Sequence, residues 1–153
     1  MASFHFKLEP VLRQRQAEED RCQRDLAKVL RQRMILRTQL RQMQETISSS
    51  KRDMAGGLIG RVDLAQVASF ARYSGQVAQR AQQIVLRMAG LEKQVEQARG
   101  RLLQAARARQ ALELLRQRQY DRWRREQDRR ETIELDEVAA QQFLRQGALG
   151  MHA

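Results

Sequence analysis

Leu26–Ile47 reads LAKVLRQRMILRTQLRQMQETI, and its residues Leu26, Val29, Arg33, Leu36, Leu40, Met43 and Ile47 recur at alternating steps of three and four. Arg33 is the one polar member of that series. Extended toward the N-terminus, the same stepping reaches Leu8, Leu12, Arg15, Glu19 and Cys22, so that nine of twelve positions from Leu8 to Ile47 are apolar. A 3.5-residue period held this long makes a seam for a coiled-coil partner rather than the broader apolar face of a globular helix. Pro10 falls near the first turn of this helix, where its missing N–H is not needed. Before it, Phe4 to Leu8 alternate, which suits an extended lead-in.

The pattern breaks after Ile47. Ser48 to Gly60 contains three serines and the glycines Gly56, Gly57 and Gly60, which predicts a turn. Asp63 then suits the N-cap of a second helix. From Val67 the stepping resumes and runs to Ile133 with fourteen of twenty positions apolar, eleven of twelve up to Ala105 and three of eight beyond it. Folding the chain back at the glycines sets Leu40 against Ser74, Leu36 against Val77, Val29 against Ile84, Leu26 against Met88, Cys22 against Leu91 and Leu12 against Leu102. The numbers of each pair add to 113 or 114. Arg33 then faces Ala81 and Arg15 faces Ala98, small residues beside long stems. The register is left open by one heptad, and kinks at Gly75, Gly90 or Gly100 are left open as well.

The fold class expected is therefore all-α: an elongated antiparallel two-helix coiled coil, a helical hairpin with a longer second helix. It forms a single domain over residues 1–153, with helix 1 at about 9–48, a loop at about 49–62 and helix 2 at about 63–146. Residues 106–145 would then have no partner on the first helix and would reach out about 60 Å at 1.5 Å per residue. Asp121 with Arg125 and Glu126 with Arg130 are spaced to support such a helix, and Gly147 suits its stop. Trp123 has two readings: packing against Phe4 or Phe6, or contact with a partner.

Composition narrows the function. The chain has 29 basic and 18 acidic residues, a net charge of +11, and 5% aromatic residues. Only Lys7, Lys28, Lys51 and Lys93 are lysines, so the other 25 basic residues are arginines, suited to bidentate contact with carboxylate or phosphate. They serve either an anionic partner or a solvated coiled-coil surface, with acidic residues interspersed. One cysteine excludes an internal disulfide. No stretch approaches the ~18 apolar residues of a membrane span. The opening MASFHFKLEPVLRQ carries charge too early for a signal peptide, so the class expected is a soluble cytoplasmic protein.

Catalytic chemistry has no candidates. His5 and His152 stand at opposite ends and Cys22 lies on the seam, so no metal site or cofactor is expected. The run GGLIGR at Gly56–Arg61 lacks the Lys-Ser/Thr of a phosphate-binding loop and reads as a turn. Two helices enclose no pocket, and no enzyme is expected.

Phe4-His-Phe-Lys-Leu-Glu-Pro-Val-Leu-Arg, together with Tyr120-Asp-Arg-Trp-Arg-Arg-Glu and Glu134-Leu-Asp-Glu-Val-Ala-Ala-Gln-Gln-Phe143, resembles the FliJ family across essentially the whole chain. These are coiled-coil proteins of the flagellar type III export apparatus, and YscO-type injectisome proteins share their plan. The resemblance implies a monomeric hairpin at the cytoplasmic face of the inner membrane, associated with the membrane peripherally through the apparatus. Its partners would be the hexameric export ATPase, a membrane export-gate protein and export chaperones. The end bearing both termini would enter the ATPase ring as a central stalk, with Arg118, Arg122, Trp123, Arg124, Arg125, Arg129 and Arg130 as contacts. The gate-binding stripe would be Phe70, Tyr73, Ser74, Val77 and Ala81, with Leu36, Leu40, Met43 and Ile47 beside it. Ser74 departs from the apolar residue usual there. No nucleic acid is expected. The alternatives are a basic coiled coil that binds nucleic acid, which would show steep salt dependence, and a homodimeric structural coiled coil.

Overall fold

The computed structural model describes residues 2–57 and 63–151. Leu58, Ile59 and Gly60 of the expected loop, and His152, lie outside them. The described residues form two helices, α1 (Glu9–Gly57) and α2 (Leu64–Gly150), and contain no strand. This is an antiparallel helical hairpin with a longer second helix.

Each helix end has a local cause. Residues 2–8 are non-helical, and α1 begins with Glu9, whose carboxylate suits the positive end of the helix dipole, followed by Pro10. At the start of α2, Asp63 Oδ1 accepts from the Ala65 N–H at 3.0 Å and the Asp63 carbonyl accepts from the Val67 N–H at 3.2 Å. Asp63 is thus the N-cap that its position suggests. Two expected ends move outward. α1 continues past Ser48 to Gly57. No proline interrupts it, and Ser50 and Met54, both half-buried, carry the seam's steps of three and four onward from Ile47. Gly147 does not stop α2: its carbonyl accepts from the Met151 N–H at 3.1 Å, and the helix runs to Gly150.

The packing divides the chain into two units, one of Ala17–Ala105 and one of Met1–Gln16 with Ala106–Ala153.

In the Ala17–Ala105 unit both helices contribute a seam at the expected positions. Cys22, Val77, Ile84, Leu91, Val95, Ala98 and Ala105 are buried, Val95 completely. Leu26, Val29, Leu36, Leu40, Met43 and Ile47 are half-buried. The register differs from expectation. Arg33 does not face Ala81; its guanidinium donates to the Glu92 carboxylate at 3.1 Å, and the two residue numbers add to 125. That sum brings Leu40 level with Ile84, Leu36 with Met88 and Val29 with Val95, about eleven residues from the expected pairing. Eleven residues are just over three whole helical turns, so the slip leaves each seam facing the other. The longer α1 is its cause, because it carries the turn further along the chain.

In the second unit the N-terminal residues cover part of α2 that was expected to stand alone. Phe6 and Leu12 are buried. Glu9 pairs with Arg116 at 3.2 Å. Phe4 meets Tyr120 edge-on at 5.4 Å between ring centroids and Trp123 at 5.9 Å, while Tyr120 and Trp123 lie 5.8 Å apart. Such aromatic pairs stabilise beyond their buried area. The stripe of α2 on this side is Leu112, Arg116, Tyr120, Trp123 and Gln127, with Leu112, Trp123 and Gln127 half-buried, and its steps of four, four, three and four include one extra four. This stutter moves the packed face off the strict heptad positions. The apparent fading of the seam beyond Ala105 is therefore partly a change of phase. Every residue from Asp128 to Met151 is exposed. Glu126 pairs with Arg130 at 3.4 Å as its spacing suggests, whereas Asp121 accepts from Gln117 at 2.9 Å instead of pairing with Arg125.

Candidate interaction surfaces

The seven residues expected to meet a ring ATPase separate into three groups. Trp123 is half-buried in an aromatic cluster with Phe4 and Tyr120, the packing that one of its two readings describes. Arg124 is tied to Asp128 at 3.5 Å and Arg130 to Glu126 at 3.4 Å, each one turn away on the same helix. Arg118, Arg122, Arg125 and Arg129 are exposed and have no ion-pair partner among the described residues.

These four are spaced by four, three and four, so they share one face of α2 over about 16 Å. At 100° per residue that face lies roughly 180° round the helix from Arg116, Tyr120, Trp123 and Gln127, the stripe covered by the N-terminal residues. The result is a helix packed on one side and lined with free guanidinium groups on the other. Arg107, also exposed, stands eleven residues before Arg118 and continues the line, and Arg129 stands eleven residues after it. Arg107 was not among the expected contacts. Its eleven-residue spacing places it on the same face.

The expected gate-binding residues sit differently, within the Ala17–Ala105 unit. Val77 is buried, and Leu36, Leu40, Met43, Ile47, Phe70, Ser74 and Ala81 are half-buried along the two seams. Most of this stripe is therefore engaged in holding the unit together. Tyr73 is 41% exposed. It lines an open groove of about 390 Å³ with Met43, Val77, Gln39, Gln42, Thr46 and Arg80. The structure thus brings Tyr73, Met43 and Val77 together as a surface. A second groove, of about 380 Å³, lies over Leu36 and Leu91, with Ile35 and Gly90 beside them.

Ser74 has a buried hydroxyl with no hydrogen-bond partner. A buried donor left unsatisfied costs free energy that an apolar group would not. Ser74→Ala is expected to raise the stability of the unit by about 1 kcal/mol, read as a higher urea midpoint at unchanged slope.

Among the described residues no group of His, Cys, Asp and Glu could hold a metal ion, and Cys22 is buried on the seam. No helix among them is long and apolar enough to cross a membrane.

A family model described as "Flagellar FliJ protein" matches residues 4–148. No curated protein and no solved structure matches the chain. The matched span takes in the N-terminal lead-in, both helices and the arginine line. The chain belongs to the FliJ family, and its role lies in flagellar export.

Proposed function

We propose that this chain is the central stalk of the hexameric export ATPase, coupling the ring to the membrane export gate and assisting export chaperones at the cytoplasmic face of the inner membrane. The observation that carries this reading is the line of Arg118, Arg122, Arg125 and Arg129 on the face of α2 opposite the aromatic cluster. A shaft inside a ring must be stiff and must make contacts that re-form as it turns. Packing by Phe4, Phe6 and Glu9 stiffens this stretch of α2, and charged, hydrated contacts re-form more readily than a dry apolar interface. Guanidinium groups spaced about 4.5–6 Å along the helix present repeated, equivalent contacts to carboxylates on the ring.

The gate contact belongs to the Ala17–Ala105 unit. There Tyr73, with Met43 and Val77 in its groove, offers the accessible part of the expected stripe. The other members of that stripe act by shaping the seam beneath it.

A photo-cross-linking residue placed at Arg122 or Arg125 tests the stalk contact. Cross-links to the ATPase are expected from these positions and not from Arg116, which faces Glu9. Equal cross-linking from Arg116, or none from any of the three, would defeat the assignment of this face.

A further inference from the structure

Charge is segregated in the Ala17–Ala105 unit, although it looks mixed when counted along the chain. From Leu26 to Gln44, α1 carries Lys28, Arg31, Arg33, Arg37 and Arg41 and no carboxylate. From Leu64 to Leu91, α2 carries Arg72, Arg80 and Arg87 and again no carboxylate. The Arg33–Glu92 ion pair shows which sides of the two helices lie together. On that side, Arg37 and Arg41 follow Arg33 by one and two turns, and Val85 precedes Glu92 by two. Arg37 and Arg41 are exposed, and neither has an ion-pair partner among the described residues. Met34, three residues before Arg37, is 67% exposed, and Val85 is 52% exposed.

We propose that this side of the unit, built from Arg37, Arg41, Met34 and Val85, binds directly to the headgroups of an anionic phospholipid bilayer. The inference goes beyond the stalk and does not depend on it. Guanidinium groups pair with headgroup phosphates in bidentate fashion, and the one carboxylate marking this side, Glu92, is already held by Arg33 at 3.1 Å, so Arg37 and Arg41 stand free for them. Exposed Met34 and Val85 reach the boundary between headgroup and acyl chain, a combination of cations and apolar side chains that marks interfacial binding. Nucleic acid would instead call for stacking platforms, and Tyr73 is the single aromatic residue between Leu26 and Leu91 apart from half-buried Phe70.

Co-sedimentation of the full chain with phosphatidylcholine vesicles, with and without phosphatidylglycerol, tests this. Binding is expected only with phosphatidylglycerol and is expected to fall as salt is raised. R37Q/R41Q should weaken it about 25-fold, at roughly fivefold per cation removed. M34Q/V85Q should weaken it without altering the salt dependence, and both variants should keep full helicity by circular dichroism. R118Q/R122Q, which removes the same charge from the other unit, should bind as the unaltered chain does. An equal loss from R118Q/R122Q would overturn the proposal in favour of general attraction by net charge. It would be overturned equally by absence of vesicle binding, or by R37Q/R41Q abolishing binding to single-stranded RNA while vesicle binding survived.

Discussion

Reversing the arginine line with R118E/R122E/R125E/R129E is expected to remove stimulation of the export ATPase, lowering the apparent affinity of the chain for the ring by about a hundredfold or more. The four side chains are exposed and have no ion-pair partner among the described residues, so reversal breaks no ion pair there. Leu112, Arg116, Tyr120 and Trp123 on the opposite face are untouched, and the N-terminal residues should stay in place. Each attraction to a ring carboxylate becomes a repulsion of like charges. That doubles the effect of neutralisation and makes reversal the stronger variant. R124E/R130E provides the contrast. These residues are held by Asp128 and Glu126, so their reversal removes two weak pairs on the helix surface and should leave most of the stimulation intact. A stimulation assay over a range of chain concentrations separates lost affinity from lost maximal rate. Equal effects from the two variants would show that total charge, and not this face, governs the interaction.

Val95→Asp is expected to unfold the Ala17–Ala105 unit. Val95 has no exposed surface, and the register set by the Arg33–Glu92 pair brings it near Val29 on the seam. A carboxylate there would be shut off from water, and a buried charge left uncompensated costs about 3–5 kcal/mol, a large part of the stability of an ordinary domain. A two-helix unit has little other core with which to offset the loss, since among the described residues no other side chain is completely buried and two of its remaining buried residues are alanines. Val95→Ala removes two methyl groups and should cost about 2 kcal/mol, leaving the unit folded. Far-ultraviolet circular dichroism during urea titration distinguishes the two. The unaltered chain and Val95→Ala should show a helical baseline in the absence of urea. Val95→Asp should begin part-unfolded.

The seams were legible because their period is a direct physical requirement of helices packed side by side, and the burial of Val77, Ile84, Leu91, Val95 and Ala98 follows it. The register was not legible, for a reason that the period itself supplies. A slip of about eleven residues returns the same face to the partner, so apolar layers meet in either arrangement. What separates the two is the Arg33–Glu92 pair and the length of α1, and both depend on where the chain turns. Serines and glycines at Ser48–Gly57 carry turn propensity, yet the half-buried Met54 outweighs it once α2 lies alongside. The N-cap at Asp63 could be read because capping is a local interaction.

The candidate surfaces divide along the same line. The abundance of arginine after Ala105 is visible in composition, but the distinction between Arg122 and Arg124 is not. It rests on which face the N-terminal residues cover and on which guanidinium groups find a carboxylate one turn away. Likewise the basic surface around Arg37 and Arg41 is diluted when charges are counted over a long stretch, because the carboxylates of α1 before Leu26 enter the same total. Antiparallel packing sets parts of the two carboxylate-free stretches, about 34–44 and 81–91, beside each other. Ser74 remained a polar residue on an apolar seam in the structure as in the sequence, and its unpartnered hydroxyl makes that mismatch concrete.

The most direct measurement of the central claim is the rate of ATP hydrolysis by the hexameric export ATPase from the same organism, with and without the purified full chain. The stalk account predicts that the chain raises the rate, saturably, and that it co-assembles with the ring. An unchanged rate with no co-assembly would contradict it.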